Sequence, residues 1–125
     1  VTKVKRLRGK KLDSVILDAG VNVLPSGKYR RHNFYKLNNN NGKIKKYNLY
    51  GPLCMQSDCF RNDIKLKELN LEDALYTSFA GAYSLSQSWN FIQFSPPVIA
   101  FNKKNFVLIK RKQNLNDLLC RDINQ

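Results

Sequence analysis

The sequence is short of acid. Nine Asp and Glu residues stand against 22 Lys and Arg, giving a formal net charge of +13. Within residues 1–50 the only acids are Asp13 and Asp18. Histidine is nearly absent, with His32 alone, and cysteine is scarce. Cys54, Cys59 and Cys120 make an odd set. Cys54 and Cys59 have no second pair to complete a zinc box, so no metal site is expected. An odd cysteine count without an export signal points to free thiols in a reducing, cytoplasmic setting. No apolar run approaches the roughly 18 residues that cross a bilayer. The opening "VTKVKRLRGKKLDS" has no apolar stretch behind its charges, so it is not expected to act as a signal peptide. It starts without Met and inside an alternating pattern, and so reads as a piece of a longer protein or a processed one.

An excess of positive charge suits nucleic acid, a membrane surface or an acidic protein. Lys and Asn recur throughout, as in "NNNNGKIKKYN", which reads as compositional bias and argues against nucleic acid as the partner. The one stretch that could stack bases between cations is "KYRRHNFYK".

What is present is the composition of a globular domain: 125 residues, 42% hydrophobic and 25% charged. "KKLDSVILDAG" predicts a strand around Val15, Ile16 and Leu17, ending at Gly20, and "VNVLPSG" resumes it as far as Pro25 and Gly27. "KYRRHNFYKL" reads as a half-exposed strand or loop. Asn38 to Gly42 reads as a hairpin tip, with "KIKKYNLYG" the returning strand. "DIKLKELNLEDAL" fits short strand or turn pieces. "EDALYTSFAGAYSLSQSW" reads as a strand, then a short helix from near Gly81. "PPVIAF" and "FVLIKRK" form a hairpin. "NLNDLLCRD" predicts a short terminal helix capped by Asn114 or Asn116. About seven short strands with turn signals between them indicate an all-β, Greek-key-like barrel or sandwich with one or two short helices, spanning residues 1–125 as one domain.

Three segments stand out in order: "VILDAGVN" (15–22), "YGPLCMQSD" (50–58) and "AGAYSLSQSWNFIQFSPPVIAF" (80–101). Together they resemble the C-terminal β-domain of the pyridoxal-phosphate-dependent decarboxylases that act on basic amino acids, the diaminopimelate and ornithine decarboxylase family. "NFVLIKRKQNLNDLLCRD" resembles that family's last strand and helix. The resemblance implies a two-domain enzyme whose missing α/β barrel carries the lysine that anchors the cofactor, with the β-domain completing the site across a homodimer interface. The chain by itself is then expected to be inactive.

By the same resemblance, Cys54 takes the place of the family's catalytic cysteine, which helps return a proton to the substrate carbon after the carboxylate leaves. A thiol suits this task because it ordinarily titrates near 8.5. Asp58 takes the place of an aspartate that meets the distal end of the substrate. Tyr83 takes the place of a tyrosine whose hydroxyl approaches the cofactor phosphate, beside Gly81. Cys59 and Cys120 read as small hydrophobes.

Two positions depart from the family pattern. Met55 stands where Glu or Asp usually contacts the substrate. Leu24, before Pro25, stands where diaminopimelate decarboxylases commonly carry Arg. Two polar contacts become apolar, and a charged distal group would be stranded there. Diaminopimelate is therefore disfavoured, and a modified amino acid, or one tethered to an acidic carrier protein, is expected. Two other readings stay open: a stand-alone basic barrel that binds nucleic acid, and a degenerate homologue without activity.

Overall fold

The computed structural model describes residues 1–9, 13–38 and 42–120. They divide into two compact units, 1–88 and 89 onward. The first holds strands β1 (Thr2–Arg8), β2 (Asp13–Leu17), β3 (Phe34–Lys36), β4 (Ile44–Tyr50), β5 (Cys59–Lys67) and β6 (Ala74–Thr77). They form one sheet in the order β3-β6-β1-β2-β4-β5. All neighbours are antiparallel except β2 and β4, which run parallel with Val15 opposite Leu49.

Register shifts after Val4 on β1 and on either side of Leu49 on β4 bend the sheet. At one of them Asp63 adopts a left-handed φ of 58° while its N–H is taken by the Asn48 side chain at 2.9 Å. The bent sheet brings its two edge strands together. Phe34 and Phe60 meet with ring centroids 5.5 Å apart, and Arg61 donates to the His32 carbonyl at 3.0 Å. The result is the barrel-like all-β fold that the strand pattern predicts.

Alternation fills the interior. Thr2 and Val4 point inward on β1 while Lys3 and Lys5 point out, and Val15, Leu17, Tyr47, Leu49 and Leu75 are sealed from solvent. Tyr47 can be buried because its hydroxyl accepts the Leu69 N–H at 3.0 Å.

The second unit contains the hairpin β7 (Val98–Asn102) and β8 (Asn105–Lys110), then α1 (Leu115–Leu119). Ser95 and Gln113 close its base: the Gln113 N–H donates to the Ser95 carbonyl and the Ser95 N–H to Gln113 Oε1, both at 3.0 Å. Asn114 caps α1 in a reciprocal box with Asp117. Arg121 and Asp122, expected to continue that helix, lie outside the described residues.

Four local expectations are corrected. "VNVLPSG" does not resume a strand. Residues 21–23 turn, and Pro25–Lys28 form a short 3-10 turn with Gly27 N–H bonded to the Leu24 carbonyl at 2.9 Å; proline presets that φ and donates nothing to a ladder. β3 and β4 do not pair as a hairpin: β3 lies beside β6, and β4 lies between β2 and β5. Of the tip expected from Asn38 to Gly42, residues 39–41 lie outside the described residues, as do 10–12. The stretch after Gly81 makes a single turn closed by Gln87 N–H on the Tyr83 carbonyl at 2.9 Å. "DIKLK" belongs to one long strand, β5, which brings the number of strands to eight among the described residues.

Candidate functional site

The loop from Gly51 to Asp58 joins β4 to β5. Its ends are tied by Gly51 N–H on the Asp58 carbonyl at 2.9 Å, and Asp58 N–H returns to the Met55 carbonyl at 3.0 Å. The Asp58 side chain turns inward and is 3% exposed. Its Oδ2 accepts the Leu53 N–H and its Oδ1 the Val21 N–H, each at 2.8 Å. One carboxylate thus staples "GPLC" to the turn of "DAGVN". Two glycines permit the close approach. A Cβ on Gly51 would lie 2.2 Å from Asp58 Oδ2, and one on Gly20 would lie 2.8 Å from Leu53 Cγ. Leu53 is buried beneath the loop, so the next residue, Cys54, is thrown outward with an exposed free thiol. Met55 is half-buried beside it.

The structure places Cys54, Met55 and Asp58 on one loop. Both Asp58 oxygens accept backbone N–H groups inside the fold, so this carboxylate ties the loop that carries Cys54 to the Val21 turn. Its inward turn is invisible to motif reading because the deciding partner, Val21, is remote in sequence.

Tyr83 sits on a separate turn. It is 73% exposed and holds a left-handed φ of 63°, a conformation that costs a bulky residue on the order of 1 kcal/mol or more. The space beside Gly81 is open, with nothing within 4 Å of where a Cβ would be.

The other cysteines differ. Burial pushes the Cys59 thiol up, against a hydrogen bond from the Arg61 backbone, with the Asp58 charge adding to the rise. Cys59 is half-buried, in line with a small hydrophobe. Cys120 is exposed, its thiol donating to the Asp117 carbonyl at 3.3 Å, and is not a packed hydrophobe.

His32, in the stretch weighed for nucleic acid, is buried against Ser26 at 2.7 Å. Burial, with the neighbouring Arg30 charge, pushes its pKa down. Phe34 is buried too. "KYRRHNFYK" therefore presents no continuous aromatic and basic strand face for stacking bases. Among the described residues no helix is long and apolar enough to cross a membrane.

Three comparisons bear on this arrangement. The family profile of the pyridoxal-dependent decarboxylase C-terminal sheet domain matches residues 1–81. The chain is similar to the diaminopimelate decarboxylase of Methanocaldococcus jannaschii, 30% identical over 112 residues, covering 87% of this chain and 25% of that protein. It is also similar to the L-glutamyl-[BtrI acyl-carrier protein] decarboxylase of Niallia circulans, 30% identical over 83 residues, covering 65% of this chain and 19% of that protein. The crystal structure of the M. jannaschii diaminopimelate decarboxylase superposes with a TM-score of 0.90 and 26% identity, covering 99% of this chain and 29% of that one. The chain spans roughly a quarter of the length of these relatives.

Proposed function

The chain belongs to the pyridoxal-dependent decarboxylases, as their C-terminal sheet domain, and from that premise we propose that it completes the active site of an amino-acid decarboxylase by presenting Cys54 to the substrate. The observation that carries this reading is the outward thiol of Cys54 on a loop fixed at its base by Asp58 and Gly51. Held there, the sulfur is available to a site formed with another surface, which is the role of a general acid whose proton must reach one chosen carbon. Pyridoxal phosphate, when bound, supplies the electron sink for loss of the carboxylate. The chain's own part is to deliver the proton from Cys54 Sγ. Tyr83 is the residue that would reach the cofactor: its exposed phenol can donate a hydrogen bond to the phosphate, and the open space beside Gly81 leaves room for that group.

Met55 bears on specificity. An apolar side chain beside the cysteine, and the buried Leu24, favour a substrate whose distal end carries no free charge, since an unpaired ion in such surroundings is costly. An amino acid joined through that end to a carrier protein meets this condition. The likeness to a decarboxylase named for a carrier-linked glutamyl group supports this choice. The +13 charge suits an acidic carrier, and a second copy of the protein is the proposed source of the rest of the site.

Cys54→Ala in the complete protein should cut decarboxylation by roughly 100-fold or more, or misplace the proton in the product, as expected for loss of a general acid. Cofactor absorbance should stay intact. Unchanged turnover and unchanged product would end the proposal.

A further inference from the structure

Beyond the Asp58 staple, residues 27–31 and 59–63 line a cleft of about 590 Å³. That volume suits a small-molecule group. Its lining is cationic: Lys28, Arg30, Arg31 and Arg61, with Tyr29, whose hydroxyl donates to Gln87 Oε1 at 3.3 Å. Among the described residues of the lining Asp63 is the only acid, and it already pairs with Lys46 at 3.2 Å. Arg61 is held in place by neutral acceptors, the His32 carbonyl at 3.0 Å and Asn33 Oδ1 at 3.4 Å, which orient its guanidinium without cancelling its charge.

Several other cations of this unit meet carboxylates: Lys3 and Lys5 with Glu72, Lys36 with Asp73, Lys45 with Glu68. The cleft gathers like charges in a concavity, where the field they set up is focused on whatever enters. Planar guanidinium groups match the oxygens of a phosphate in paired hydrogen bonds.

We propose that this cleft binds a phosphate ester. The ester would come either from the prosthetic arm of a carrier that brings the substrate, a source that rests on the function proposed above, or from a free phosphorylated small molecule. Residues 22–26 lead from the anchored Val21 to the first wall and the second begins directly after Asp58, so one carboxylate anchors the Cys54 loop and the approaches to both walls.

The test uses the complete protein loaded with pyridoxal phosphate, so that the cofactor's own phosphate site is filled. Calorimetry measures 4′-phosphopantetheine, the same arm without phosphate (pantetheine), and inorganic phosphate. Phosphopantetheine should bind, pantetheine at least tenfold more weakly. Arg31→Gln with Arg61→Gln should weaken phosphopantetheine by about tenfold or more, as expected for lost charge-assisted hydrogen bonds. Lys3→Gln with Lys5→Gln removes the same charge from β1 and should change affinity less than twofold. Phosphopantetheine binding more tightly than inorganic phosphate identifies the carrier arm; equal binding identifies a free phosphorylated ligand. Equal affinity for pantetheine, equal loss in both double variants, or no loss in the arginine variant overturns the proposal. Cys54→Ala should leave phosphopantetheine affinity unchanged, so a failure of the catalytic reading and a failure of the cleft are read separately.

Discussion

The two units treat their apolar residues in opposite ways. In residues 1–88 the strands alternate, and Val15, Leu17, Leu49 and Leu75 show no exposed surface. In the hairpin β7–β8 the residues are as apolar, yet Ile99, Phe101, Phe106, Leu108 and Ile109 are all exposed, and α1 has no buried residue. The first unit is held by the burial of one face of a curled sheet. The hairpin is held by its own ladder, by the Phe101–Phe106 contact at 4.8 Å and by the Ser95–Gln113 tie. β-propensity therefore makes strands in both units, but only in the first does it build a core.

Paired truncation separates the two units by the largest margin. Leu17→Ala should cost about 2–5 kcal/mol, because it opens a cavity in a packed interior. Ile109→Ala should stay within about 0.5 kcal/mol. Denaturant midpoints on the same protein measure both. A large loss at Ile109 would show that the hairpin is covered in solution and would collapse the contrast.

Next in size is Gly51→Ala. The added methyl meets the Asp58 carboxylate, and overpacking at such a site costs about 1–3 kcal/mol. Activity should fall further than stability, since the staple that aims Cys54 is displaced. Equal stability and activity to the parent would remove Gly51 and Asp58 from the argument.

The smallest effect lies in the second unit. The Arg111 side chain, with the Asn114 backbone N–H, holds the Asp117 carboxyl at about 2, against an ordinary value of 3.8. Because the folded value is depressed, the contribution of the pair is complete above the ordinary value and is lost as pH falls towards about 2. Both partners lie at the surface, so the effect on overall stability should be slight. Arg111→Gln should move the Asp117 midpoint, followed by carboxyl NMR, back towards the ordinary range. An unmoved midpoint would assign the shift to the Asn114 cap alone.

Much of the local structure is legible in the chain. The apolar run Val15–Leu17, the apolar members of "KIKKYNLYG", the Pro-Pro start and "KKN" turn of the last hairpin, and an Asn cap at 114 or 116 all foretell elements that form. Each depends on neighbours within a few residues. What the sequence hides are decisions between distant segments: that β4 lies parallel to β2 instead of closing a hairpin with β3, that "VLPSG" turns aside, and that Asp58 faces inward to Val21. At the candidate site the motif marks Cys54 and Gly51, but it does not reveal that the neighbouring carboxylate accepts the Leu53 and Val21 N–H groups.

Residue type and short-range pattern are enough to foretell an all-β domain and a thiol just beyond a Gly-Pro turn, while the family came from the resemblance of three motifs in order. Tertiary structure alone decided which strands pair, where the buried face closes and what Asp58 does. A strand's pattern states which of its sides avoids water, but its partner is chosen by packing across the whole sheet, and a buried carboxylate must take whichever backbone N–H groups the fold brings to it.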